Sequence, residues 1–175
     1  MDELVRQALA KWPDVPDCYG WLALDARGAF RMRDADAQAS NAPGDVIRHD
    51  ALVSFIYRNY ERDSHGAWYF QNGPQRVFVQ LATTPFIART DPLHGFISHD
   101  GAPLNRLDEV WVTLDGRLIL RAAERIAMVD DRDLAACLPM LRVGGQPIDD
   151  AVLLNWLVQP TVDLQFASGE IGRAH

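Results

Sequence analysis

GAWYFQNGPQRVFVQLATTPF, residues 66–86, is the stretch whose reading decides the fold. Two apolar runs flank Asn72-Gly73-Pro74, residue types that turn a chain back on itself, so the segment predicts a β-hairpin. Successive side chains on a strand point to opposite faces. Val77, Val79 and Leu81 therefore share one face, and Arg76, Phe78 and Gln80 share the other. On the first strand Trp68 and Phe70 lie on one face, Tyr69 and Gln71 on the other. The aliphatic face reads as core. The second face mixes an aromatic ring with polar groups, the pattern of a sheet covered on one side and partly covered on the other. Aromatic residues and Arg are enriched at binding surfaces. Tyr69, Arg76, Phe78 and Gln80 are accordingly the candidate binding residues. Pro85 offers no N–H for a ladder and argues against pairing at that position.

Working outward, IRHDALVSFIYRNYERD places Leu52, Phe55, Ile56 and Tyr60 at helical spacing, with Asp50 at the N-cap and an end near Asp63. This helix is expected to pack on Val77, Val79 and Leu81. Residues 2–11 read as a short helix ended by Pro13 and Pro16. GWLALDARGAFRMRD reads as two strands around a turn at Asp25–Gly28, and ADAQASNAPGD, residues 35–45, as a loop. Downstream, residues 91–109 read as a long connection. VWVTLDGRLILRAAE is a second strand–turn–strand unit, with its turn at Asp115-Gly116. VDDRDLAACLPML reads as a helix with acids at its start, and PIDDAVLLNWLV as a last helix.

The chain echoes itself. Trp21-x-x-Leu24-Asp25 is matched by Trp111-x-x-Leu114-Asp115, and GDVIRHDALVSFI from Gly44 by GQPIDDAVLLNWL from Gly145. Self-similarity of this kind predicts two related halves. The expected fold is α+β, antiparallel hairpins with three to four helices in two similar halves from an internal repeat. Residues 1–90 would form the first half (helix, hairpin, helix, hairpin). Residues 91–175 would form the second (hairpin and two helices), the two packed as one compact unit.

VIRHDALVSFIYRNYERDSHGAWYFQNGPQRVFVQLATTPFIA resembles the pattern of a proteobacterial family of uncharacterised proteins. There a helix of the form I-x-R-x-x-L-V-x-x-F precedes a tryptophan-bearing hairpin, a valine-rich strand and an x-P-F-x-A segment. Leu52-Val53, Trp68, Val77, Val79, Pro85, Phe86 and Ala88 carry the match. The resemblance covers the middle quarter of the chain and continues loosely through the Trp111 hairpin. It implies a fold of repeated hairpin and helix units, a signalling role and no established enzyme activity.

The net charge of −7, with no Lys/Arg cluster, disfavours nucleic-acid binding. No apolar run reaches membrane-spanning length, and the MDELVRQALAKW start lacks the features of a secretory leader. Cys18 and Cys137 have no spacing that suggests zinc or a redox pair, so the expectation is a cytoplasmic protein with reduced thiols. The residues nearest to a metal set are His94, His99 and Asp100, in one loop, without a recognised ligand spacing. Ser98-His99-Asp100 is not a triad, because three consecutive side chains cannot align nucleophile, base and orienting group. Asp130, Asp131 and Asp133 lack the glycine and glutamate of a calcium loop. No metal or cofactor is expected. The primary reading is a non-enzymatic binding or regulatory module, with a protein, a second copy of the chain or a small ligand as partner. The alternative is a small hydrolase or metal-dependent enzyme using the His94–Asp100 loop.

Overall fold

The computed structural model describes residues 1–113, 115–143, 145–148, 164–166 and 173–174. Its contacts divide the chain into two compact units, Met1–Thr83 and Thr84–His175.

The first unit opens with helix α1 (Glu3–Lys11), then strands β1 (Cys18–Leu24) and β2 (Phe30–Met32), helix α2 (Ala35–Ala39) and strand β3 (Asp45–Val46). Helix α3 (Asp50–Arg58) leads into the meander β4 (Tyr60–Arg62), β5 (Trp68–Asn72) and β6 (Gln75–Leu81). These strands form one sheet in the order β3-β2-β1-β6-β5-β4. Neighbours are antiparallel except β1 and β6, which run parallel at its centre. The 66–86 hairpin forms in the expected register, with Asn72 opposite Gln75 and Tyr69 opposite Phe78. Gly73 takes φ +57°, the left-handed conformation that the first central position of such a two-residue turn requires.

One face of this sheet is core. Leu22, Leu24, Phe30, Phe70 and Val79 are buried with Ile56 of α3, and Leu52, Phe55, Val77 and Leu81 pack around them. The aliphatic face of β6 thus meets the α3 residues that the helical spacing selected. Three local expectations differ. The α3 N-cap is His49, whose Nδ1 accepts from the Leu52 N–H at 3.3 Å, and Asp50 is the first helical residue. The helix ends at Arg58, and Tyr60–Arg62 pairs with β5 instead. Asn59 stops it: its buried amide donates to the Phe55 carbonyl at 2.9 Å and accepts the Asp2 N–H at 2.7 Å. Residues 35–39, expected as loop, are α2, because Asp34 caps the first turn by accepting from Ala37 N–H.

The second unit contains β7 (Phe86–Asp91), β8 (Gly95–Ser98), β9 (Arg106–Leu107), β10 (Glu109–Val112), β11 (Leu118–Ala122) and β12 (Arg125–Val129). Helix α4 (Leu134–Cys137) and a 3-10 turn (Leu138–Met140) follow, then β13 (Leu141–Val143), β14 (Gln146–Pro147), β15 (Leu164–Phe166) and β16 (Arg173–Ala174). The main sheet has the order β10-β11-β12-β7-β8, with β12 and β7 parallel and the other pairs antiparallel. Further small sheets join β14-β13-β15 and β16-β9. The 91–109 stretch is therefore not a bare connection, because Asp91 accepts the Leu93 and His94 N–H groups and closes a β7–β8 turn. The last expected helix, residues 147–158, does not begin at Pro147, which ends a short strand instead, and from residue 149 on it lies outside the described residues.

The fold is α+β with two similar sheet halves. In each, the first strand lies parallel to the last strand of a later three-stranded meander, β1 to β6 and β7 to β12. The two-residue turns at equivalent positions both begin with a positive φ, +57° at Gly73 and +52° at Ala123. The pairing of Trp21 with Trp111 is not the register of this repeat. Trp21 lies on β1 at the sheet centre, and Trp111 on the edge strand β10. The turn acceptors do not follow that alignment either: Asp25 and Asp63 accept forward N–H groups, whereas at the second hairpin Thr113, and not Asp115, accepts the Arg117 N–H.

Candidate functional site

The four candidate residues lie on the face of the first sheet opposite α3. Arg76 and Gln80 are exposed, Phe78 is half-buried, and Tyr69 is buried. Phe78 is flanked on both sides. Tyr69 on β5 approaches with ring centroids 5.7 Å apart, and Tyr19 on β1 stacks at 4.6 Å with an interplanar angle of 8°. Arg76 sits over the Tyr69 ring at 5.1 Å, a cation–π contact. Tyr19 reaches Phe78 because β1 carries a bulge. The register slips between Cys18 and Leu22, and Gly20 inside it has φ +85°.

The result is an aromatic ridge running across β5, β6 and β1. Its outer end is open: Tyr19 is 62% exposed, and Trp21, two residues along the same strand, is 44% exposed. Partial burial and the neighbouring Asp17 carboxylate push the Tyr19 phenol above its usual range. Burial, followed by the Glu61 carboxylate, does the same for Tyr69, whose hydroxyl donates to Glu61 at 3.3 Å.

At the C-terminal ends of β1 and β6, Gln80 borders an open cleft of about 280 Å³ lined also by Asp25, Arg31, Arg33 and Asn41. Arg31 pairs with Asp25 at 2.8 Å. Burial works against the Asp25 charge, but the Ala29 N–H, the Arg31 guanidinium and the Arg27 N–H hold its carboxyl below the usual range.

The residues considered for a metal do not converge. His94 is exposed at the tip of the β7–β8 turn, and the His99 Nδ1 accepts the Ile87 N–H at 3.1 Å. Asp100 accepts from the Ser98 hydroxyl and pairs with Arg125 at 2.7 Å. Arg125 also donates to the Ser98 oxygen at 2.9 Å, so this hydroxyl is spent within a closed network. Among the described residues no group of three or more His, Cys, Asp or Glu is placed to hold a metal ion. Asp130 and Asp133 serve as ion-pair partners of Arg89 and Arg132. A second cavity, about 520 Å³, lies beside Arg106, Asp108 and Arg125.

The sequence reading passed over Tyr19 and Arg33. Tyr19 carries the parity of Trp21, but only the bulge brings it against Phe78. Arg33 falls inside the expected strand unit, just past the observed end of β2 at Met32, and carries no pattern that marks it as buried.

A family model described as "Protein of unknown function (DUF2946)" matches residues 1–170. The chain belongs to this family, DUF2944. An uncharacterised family is also what the residue pattern resembled. No curated protein matches the chain. A solved structure of a DUF1285 family protein from Silicibacter pomeroyi DSS-3 is similar at 15% identity and a TM-score of 0.47, over 86% of this chain and 87% of that one. Among the described residues of this DUF2944 member, no helix is long and apolar enough to cross a membrane.

Proposed function

We propose that this DUF2944 member is a non-enzymatic binding module whose contact surface is the ridge of Tyr19, Phe78 and Arg76, continued by Trp21, and whose partner is a protein. The observation that carries the reading is the Tyr19–Phe78 stack: a tyrosine fixed in place at 4.6 Å from its neighbour, yet 62% exposed. Aromatic side chains held rigid before contact lose little entropy on binding, and Tyr, Trp and Arg are the residues on which interface energy concentrates. Gln80 and Arg76 supply a polar rim around the apolar centre. The module acts in the bacterial cytoplasm as a component of signal transduction, with Cys18 and Cys137 as free thiols.

The test compares Tyr19→Ser and Phe78→Ser with the wild-type chain in co-purification from the source cells and in light scattering. Both variants should lose a stoichiometric partner that the wild type retains. Tyr19→Ser should keep the wild-type melting temperature, because the ring contributes little buried area. Retention of the partner by both variants overturns the proposal.

A further inference from the structure

Arg33 is 6% exposed, and its side-chain hydrogen-bond partners are all neutral. Its Nε donates to the Ala42 carbonyl at 3.0 Å, and one terminal nitrogen donates to the Gln80 amide oxygen. The other terminal nitrogen donates to Asn41 Oδ1 at 3.2 Å and the Ala37 carbonyl at 3.4 Å. Among the described residues no carboxylate pairs with it, and Asp25, the acid in the same cavity lining, is spent on Arg31. A guanidinium does not shed its proton, and a charge buried without a counter-charge is costly even when hydrogen-bonded. The cavity of about 280 Å³ beside it is otherwise walled by apolar groups, among them Leu24, Pro43, Leu81 and Ala82.

We infer that this cavity binds a small organic carboxylate, a monoanion with an apolar body, whose carboxylate oxygens take the place of the Gln80 amide oxygen on Arg33. One uncompensated positive charge calls for one negative charge. Displacing Gln80 frees the terminal nitrogen that it occupies, while the Ala42, Asn41 and Ala37 bonds hold the rest of the guanidinium in place, so the carboxylate meets a fixed cation end-on through a charge-assisted hydrogen bond. The apolar walls receive the body, and the volume suits a compact ligand. Gln80 is exposed on its strand, so its side chain can swing aside without disturbing the core. The inference goes beyond the ridge reading, since neither Tyr19 nor Arg76 lines the cavity.

The probes are hexanoate and benzoate, with inorganic phosphate and hexanol as comparisons, titrated into the full tag-free chain by calorimetry and by following the Arg33 Nε–H resonance. At least one carboxylate should saturate at roughly millimolar concentration or below, with phosphate and hexanol about tenfold weaker. Removing Arg33 would also remove four hydrogen bonds, so the diagnostic variant is Gln80→Glu, which builds the missing carboxylate into the chain. It should raise the melting temperature at neutral pH and weaken carboxylate binding about tenfold or more. Tyr19→Ser should leave carboxylate affinity unchanged, which separates this site from the ridge. The inference is overturned if neither carboxylate saturates at roughly millimolar concentration or below. It is equally overturned if phosphate binds more tightly than both, or if Gln80→Glu fails to stabilise the fold or to weaken carboxylate binding.

Discussion

Replacing Val79 by Asp tests the packing on which the whole first unit rests. Val79 is 8% exposed and sits among Leu22, Leu24, Ile56 and Phe70. Loss of its apolar burial costs about 1.5 kcal/mol. The new carboxylate has no cation beside it in that cluster. It can escape the charge penalty by taking up a proton, and from an ordinary pKa near 3.9 that costs about 4 kcal/mol at neutral pH. Together these terms approach or exceed half the stability of an ordinary domain, about 5–15 kcal/mol. Val79→Asn is the control, because a neutral amide avoids the ionisation cost and pays only for lost burial and an unsatisfied amide. Urea unfolding followed by circular dichroism should place Val79→Asp well below Val79→Asn at neutral pH. The gap should close as pH falls, by about 1.4 kcal/mol per unit, because the buried carboxyl has a raised pKa and its neutral form is tolerated. A soluble Val79→Asp protein with the wild-type midpoint would refute the register of β6 against α3.

Other perturbations probe separate links. Gly44→Ala should be far more damaging than Gly66→Ala, because a Cβ at Gly44 would lie 2.2 Å from the Met32 carbonyl oxygen and one at Gly66 meets nothing within 4 Å; melting temperatures decide. Asn59→Ala should cost about 1–3 kcal/mol and speed amide exchange at Asp2, since one buried side chain joins the start of α1 to the end of α3. Arg132 above all, against the opposing effect of burial, holds the Asp130 carboxyl well below the usual range. A carboxyl depressed on folding contributes stability above its unfolded pKa, about 3.9, and loses it as pH falls toward the folded value. Asp130→Asn should therefore flatten the acid limb of the stability profile below about pH 4. Burial, followed by the Asp133 charge, pushes the Cys137 thiol up to about 12, so a thiol reagent at mild pH should modify Cys137 only after denaturation.

How far the sequence could be read follows from which signals are local. The 66–86 hairpin was legible because alternation, turn residues and burial agree there, and the partner face of α3 followed from helical spacing. The end of α3 was not, since Tyr60 satisfies the helical period, and only the buried Asn59 amide and pairing with β5 decide against it. The repeat was legible as similarity and not as register, because Asp-capped and Thr-capped turns recur at several hairpins. Phe78, Arg76 and Gln80 could be assigned a face by parity. Tyr19 could not be brought to them without knowing of the bulge at Gly20, nor could Arg33 be recognised as a buried cation, because both depend on contacts distant in sequence.

The ridge as a contact surface is tested most directly by placing a photo-crosslinking amino acid at position 19 in cells of the source organism. Leu93, 82% exposed at a turn of the second unit, serves as the comparison position. The account predicts a discrete protein adduct from position 19 that Arg76→Ser diminishes and that position 93 does not give. No discrete adduct from position 19, or the same adducts from both positions, would contradict it.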